Sequence, residues 1–321
     1  MHKFTDFVQQ LEQRFSDTGL FPEQPIGLYE PCRYLLGIGG KRVRPALCLM
    51  GNEMFGPAGD DAMHAATAIE LFHNFTLVHD DIMDKAPLRR GKETIHAKYG
   101  LTAGILSGDI LCIYAYEHLA KVKNHLPEIF KLFNKTAIEV CEGQQLDMDF
   151  EIRNDVTIDE YIHMIALKTS VLLACSLKIG AILGGASEDN ADKIYEFGKN
   201  LGIAFQLQDD YLDAFGETDK LGKQNGGDIK ANKKTYLLLK AIEAANNEQK
   251  AQLDKLLKTD NDNKIGDMLA LYTATGADKH CRQAVQSYSD MAFSNLEEIE
   301  VSDAHKQPLF ELASYLLQRD K

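Results

Sequence analysis

Proline is scarce in this sequence: eight residues among 321 break the backbone, so long uninterrupted helices are permitted. Cysteine is present but unpatterned. Cys32, Cys48, Cys112, Cys141, Cys175 and Cys281 lie far apart with no CxxC pair, which argues against a zinc site or a disulfide framework and leaves reduced core thiols. Positive charge is short as well. Against 48 Asp and Glu stand 35 Lys and Arg, for a net charge of -13, and a nucleic-acid partner would need a clustered basic surface. Long apolar runs are missing too: VLLACSLKIGAILGG, residues 171 to 185, carries Lys178 and falls short of the ~20 residues a membrane span needs. The opening MHKFTDFVQQLEQRF has no uninterrupted apolar core of the signal-peptide kind. No transmembrane segment and a cytoplasmic location are the expectations.

What is present is ordinary soluble composition, 45% hydrophobic and 26% charged, with apolar residues recurring at three- and four-residue spacing almost throughout. HAATAIELFHNFTLVHDDIMD and KIYEFGKNLGIAFQLQDDYLDAF are examples. The pattern predicts an all-α fold, one domain over residues 1–321, with several helices apolar on most faces, as in a large bundle or the wall of a deep cavity. The prolines are expected at helix starts and in loops. A polar turn is expected at KTDNDNK, residues 258 to 264, with amphipathic helices around it.

Two acidic motifs carry the chemistry. LVHDDIMD ends at Asp84 and FQLQDDYLD ends at Asp213. Residues four apart share a helix face, about 6 Å apart along the axis, so Asp80 pairs with Asp84 and Asp209 with Asp213. Like charges so placed repel unless a cation joins them. Apolar residues lead into each motif, which places the carboxylates at the rim of a cavity, where a hard cation such as magnesium suits them and leaves room for substrate phosphate oxygens. Each motif is followed by a polar, basic segment: APLRRGKET after the first, GETDKLGKQNGGDIKANKKTY after the second. Arg89, Arg90, Lys223 and Lys233 in these segments suit a diphosphate. A third basic stretch, GIGGKRVRP, joins a glycine turn to Lys41, Arg42 and Arg44. His73 lies seven residues before Asp80, on a similar helix face.

GGKRVRP, LVHDDIMD with LRRG, GQQLDMDFE, KTS at 168 to 170, FQLQDDYLD and the GK at 222 and 223 stand in the order and approximate spacing of the trans-isoprenyl diphosphate synthases, the polyprenyl synthetase family, which the chain resembles from about residue 35 to 237. The resemblance implies an all-α bundle around a deep cavity, usually a homodimer, with the two aspartate motifs across its mouth. It implies condensation of isopentenyl diphosphate with an allylic diphosphate to a linear trans-prenyl diphosphate. Lys41, Arg44, His73 and Arg90 would hold isopentenyl diphosphate; Arg89, Lys168, Thr169, Gln206, Lys223 and Lys233 would hold the allylic diphosphate. Asp80, Asp84 and Asp209 would ligate Mg2+, about three ions per site, with Asp213 and Asp228 in support. Asp81 and Asp210 are weaker candidates. Phe75, Thr76 and Phe72 precede the first motif by four to eight residues, roughly 6 to 12 Å deeper along the helix, where they would floor the cavity and stop the product at twenty or fifteen carbons, twenty being favoured. A longer-chain synthase, a terpene cyclase and a non-catalytic synthase subunit are the alternatives. DDYLD together with GGKRVRP and His73 argues against the cyclase, and two intact DDxxD motifs argue against the non-catalytic subunit.

Overall fold

The three- and four-residue periodicity is realised as helices almost end to end. In the computed structural model the described residues are 2–16, 18–216, 226–259, 261 and 263–318. In chain order the elements are α1 (Phe4–Phe15), α2 (Ile26–Gly37), α3 (Val43–Glu53), α4 (Asp60–Met83), β1 (Leu88–Arg89), β2 (Lys92–Glu93), α5 (Ile95–Tyr99), α6 (Leu101–Leu119) and α7 (Leu126–Ile152). There follow α8 (Ile158–Ile165), a π-helical turn (Ala166–Ser170), α9 (Val171–Leu183), α10 (Glu188–Phe215), α11 (Gly227–Lys230), α12 (Tyr236–Ala244), α13 (Asn247–Leu257), α14 (Lys264–Thr275), α15 (Ala277–Glu297) and α16 (Asp303–Leu317). The fold is all-α. Its one sheet among the described residues is the two-residue hairpin β1 and β2.

The chain divides into two compact units: Met1–Phe133 with Cys175–Ile194 and Glu300–Leu309, and Asn134–Ala174 with Tyr195–Ile299 and Phe310–Lys321. In the first, α4 lies along α6 and against α3. Ala65, Ala66, Ala68, Ile69 and Leu71 of α4 and Leu111, Ala115 and Leu119 of α6 are essentially inaccessible. Small residues let α3 approach residues 175–183 closely, and a Cβ on Gly180 would run into the Cys48 carbonyl. A buried staple closes this unit. Arg42 is 3% exposed and donates to Glu12 at 2.7 Å, Glu70 at 2.6 Å and the Leu36 carbonyl at 2.6 Å, tying α1, α2 and α4 together through a residue in the left-handed region, φ 48°.

In the second unit, α12, α13, α14 and α15 close around Leu237, Leu238, Ala241, Leu253, Met268, Leu271, Tyr272 and Cys281. A second cluster joins Phe150, Tyr161, Met164, Ile165, Ile203, Leu207 and Leu239. α8 starts with a capping box in which Thr157 accepts from the Glu160 N–H at 3.2 Å and Glu160 accepts from the Thr157 N–H at 2.8 Å.

Three local expectations change. Pro31 and Pro308 lie inside α2 and α16 rather than at helix starts. Cys141 is exposed while Cys32, Cys48, Cys175 and Cys281 are buried. The apolar run counted over residues 171 to 185 belongs to the longer helical stretch Ile158–Leu183, 26 residues, which does meet the length and composition of a span. Its most apolar window is 78% buried in the protein, as a core helix would be. As expected of the polar stretch 258 to 264, α13 ends before it at Leu257 and α14 begins at its last residue, Lys264; Asp260 and Asp262 lie outside the described residues.

Candidate active site

The first aspartate motif closes α4. Asp80 is half-buried on the last turn, and Asp84, just past Met83, is exposed and returns its N–H to the Asp80 carbonyl at 2.8 Å. Asp81 turns the other way. It is 4% exposed and accepts two hydrogen bonds from Arg89, Nε at 2.8 Å and Nη2 at 2.7 Å, a forked pairing that only a guanidinium can make.

Arg89 sits on β1, and the turn between the strands is Arg90-Gly91, both at positive φ, 53° and 73°, which matches the twist of a two-residue hairpin. That turn sends the Arg90 guanidinium onto the Gly39 carbonyl. Gly40 leaves room for that guanidinium, since a Cβ would meet Arg90 Nη1 at 2.6 Å and push it aside. The glycine turn and the arginine hairpin, 51 residues apart, are thus one local structure.

Arg44 and His73 face each other, Nη1 to Nε2 at 3.3 Å. Burial pushes the Arg44 pKa down to about 10, and its Nε is buried with no hydrogen-bond partner among the described residues. Burial, then the charges of Arg44, Arg90, Arg89 and Arg42, hold His73 well below the ordinary histidine range, so the imidazole is neutral at pH 7. Arg90 is depressed too, by burial and by Arg42 and Arg89, against the pull of Glu70. Glu70 is already spent on Arg42. Asp81 is likewise taken up by Arg89, so positive charge at Arg44 and Arg90 exceeds what neighbouring carboxylates neutralise, which is the electrostatics of an anion site. Lys41 is exposed beside it.

The second motif ends α10. Asp209 and Asp213 are half-buried and Asp210 is 5% exposed. Asp213 is tied to α11: its Oδ2 accepts from the Asp228 N–H at 2.9 Å and its carbonyl from the Gly226 N–H at 2.7 Å. Burial, then the charges of Asp228 and Asp209, pushes Asp210 up to about 7. That crowding of carboxylates is what a divalent cation relieves. The donors are all hard oxygens, as magnesium prefers. Among the described residues no three such groups already converge on one point; a site of this kind fits an ion that takes one or two carboxylates and completes its shell with phosphate oxygens and water.

Lys168 and Thr169 lie in the π turn. Such bulges re-aim side chains and recur at functional sites. Gly143 of α7 makes room for it, because a Cβ there would run into the Lys168 backbone nitrogen. Lys168 Nζ meets Asp147 at 2.6 Å, and Thr169 Oγ1 donates to Gln206 Oε1 at 3.4 Å. Lys233 is exposed, its N–H on the Asp228 carbonyl at 2.9 Å. Lys223 lies outside the described residues.

Of the chain-length candidates, Phe72 is 2% exposed and packs edge-on to Phe133 at 5.2 Å between ring centres and tilted to Phe75 at 5.4 Å. Phe75 is half-buried, its other ring neighbour His79 at 5.0 Å. Thr76 donates its hydroxyl to the His73 carbonyl at 2.8 Å. Sequence reasoning missed Asp147, Tyr161 and the staple role of Arg42. Asp147 stands inside the quoted GQQLDMDFE, so the signal was present.

The polyprenyl synthetase family matches residues 26–275. A geranylgeranyl diphosphate synthase of Methanosarcina mazei is 46% identical over 223 residues, 68% of this chain and 69% of that one. A solved structure of a geranylgeranyl pyrophosphate synthase superposes with a TM-score of 0.94 at 43% identity, covering 100% of both chains. A polyprenyl synthase from Caulobacter crescentus, solved with calcium and isoprenyl diphosphate, gives a TM-score of 0.86 at 26% identity over 99% of this chain and 95% of that one. With the motifs, the helical fold and these likenesses in agreement, the chain belongs to the polyprenyl synthetase family.

Proposed function

We propose that the protein, acting as one domain, condenses isopentenyl diphosphate with an allylic diphosphate and releases a twenty-carbon trans-prenyl diphosphate. The observation that carries this is the under-neutralised pair Arg44 and Arg90 with neutral His73, beside the Asp81–Arg89 ion pair at the Asp80 end of α4. A carboxylate motif and an anion site adjoin within one unit, as a metal-bound diphosphate requires.

Arg44, His73, Arg90 and Lys41 hold isopentenyl diphosphate. Arg89, fixed by Asp81, reaches the allylic diphosphate, which Lys168, Thr169, Gln206, Lys233 and Lys223 also bind. Asp80, Asp84 and Asp209, with Asp213 and Asp228 in support, hold about three Mg2+ ions, which when bound neutralise the departing diphosphate. Fixed donors lower the cost of the charge that develops on the leaving group, and the apolar flank of α4 keeps water from the allylic cation. No protein nucleophile is needed.

Phe75, rather than the core residue Phe72, stops the chain. The geranylgeranyl names of the relatives support twenty carbons over fifteen. A homodimer would cover the side chains that α6 leaves exposed, Leu101, Ile105, Leu106 and Ile113. Kinetics of Asp80→Ala and Asp209→Ala test the metal assignment: folded variants without turnover are expected, and near-normal rates with magnesium would refute it.

A further inference from the structure

We propose that Tyr161 is a positioning residue for the second aspartate motif, a clamp that sets the rotation of α10 by gripping Asp210, and that Asp210 is a strut rather than a metal ligand. The proposal rests on the reading of the site given above.

Tyr161 is 3% exposed and Asp210 5%. The Tyr161 hydroxyl donates to Asp210 Oδ2, and Gln206 Nε2 donates to Asp210 Oδ1 at 3.2 Å. Both carboxylate oxygens thus carry a donor from the protein, in a place water does not reach. Gln206 in turn accepts from Thr169 Oγ1 at 3.4 Å. Tyr161 and Thr169 belong to one stretch, α8 and the π turn that continues it. That stretch therefore holds α10 at two points, Gln206 and Asp210, which are one helical turn apart on one face. Asp209 and Asp213 form the neighbouring face. Turning α10 by even a few tens of degrees would break both grips and swing Asp209 away from its direction, so the clamp fixes where the metal-binding carboxylates aim. Removing the phenol oxygen leaves a buried acceptor unmet, whereas an amide at position 210 keeps an oxygen for Tyr161.

The test is steady-state kinetics of Tyr161→Phe, Asp210→Asn and the double variant beside the wild type, with thermal midpoints recorded. Four quantities are compared: the magnesium half-saturation, the KM of the allylic diphosphate, the KM of isopentenyl diphosphate and kcat. Tyr161→Phe is expected to raise the magnesium half-saturation and the allylic KM about ten-fold, the scale of a buried acceptor left unmet, while the isopentenyl diphosphate KM stays within about two-fold. Asp210→Asn is expected to shift them less than Tyr161→Phe, and the double variant to be no worse than the worse single, since coupled partners are not additive. A lower thermal midpoint with all kinetic constants unchanged would overturn the proposal, as would additive effects. If Tyr161→Phe fails to fold, Asp210→Asn decides: a loss of magnesium response as large as that of Asp209→Asn makes Asp210 a ligand and refutes the strut. A wild type that does not condense its substrates refutes the functional reading instead.

Discussion

Asp81 and Arg89 form a two-bonded ion pair, Oδ1 to Nη2 at 2.7 Å and Oδ2 to Nε at 2.8 Å, with the carboxylate side chain 5% and the guanidinium 25% accessible. The second aspartate of the first motif thus holds an arginine rather than pointing with Asp80 and Asp84. Replacing Asp81 with Asn removes one charge and breaks the fork. The expected result is a rise of about ten-fold or more in the allylic diphosphate KM, since a charge-assisted pair is worth on the order of 1.5–3 kcal/mol, with the magnesium half-saturation near the wild-type value. Initial rates at varied allylic substrate and metal check both halves.

Phe75→Ala is expected to lengthen the main product by one or more five-carbon units, because Phe75 is half-buried and its ring neighbours among the described residues are Phe72 and His79. Phe72→Ala instead opens the aromatic packing against Phe133 and is expected to cost about 3–5 kcal/mol of stability. Product chromatography and thermal melts separate the two. An unchanged product length from Phe75→Ala would place the floor elsewhere.

Gly143→Ala tests the close approach of α7 to the π turn. The backbone nitrogen of Lys168 cannot move aside cheaply, so overpacking is expected to destabilise by about 1–3 kcal/mol and to lower kcat by disturbing Lys168 and Thr169. Calorimetry with single-turnover kinetics measures both effects. A stable, fully active variant would show that the turn adapts.

His64 and His118 meet Nδ1 to Nδ1 at 3.3 Å, His118 being 2% exposed. Burial, then the charges of Lys121 and Arg14, pushes His118 down to about 4, and His64 is lowered by burial and Arg14. The unfolded chain takes up protons at about 6.5, the folded one only near 4, so this contribution to stability is whole above pH 6.5 and is lost as pH falls toward 4. The His118 share is on the order of 3 kcal/mol. His118→Phe should flatten the acid limb of the stability curve, and an unchanged acid limb would remove His118 as its cause.

Much of this was legible in the sequence because spacing carries it. DDxxD on a helical period places Asp80 and Asp84, or Asp209 and Asp213, on one helix face whatever the details of packing, the polar segments that follow mark the helix ends, and KTDNDNK is too polar for core. What was not legible depends on contacts far along the chain. Lys41, Arg42 and Arg44 look alike in a row; only the positive φ of Arg42 and the distant partners Glu12 and Glu70 turn it inward. The π turn at ALKTS has no composition of its own and is accommodated by Gly143, 25 residues earlier than Lys168. The hairpin at Leu88 to Glu93 is too short for a strand period to register. Asp81 and Asp210 match their neighbours in type, and their burial alone sets them apart.

The most direct measurement is incubation of the purified protein with labelled isopentenyl diphosphate, magnesium and, in turn, dimethylallyl, geranyl and farnesyl diphosphate, followed by chromatography of the dephosphorylated products. The account predicts magnesium-dependent linear alcohols dominated by twenty carbons from every primer. Cyclic products, or no condensation with any primer from folded protein that still binds magnesium and diphosphate, would contradict it.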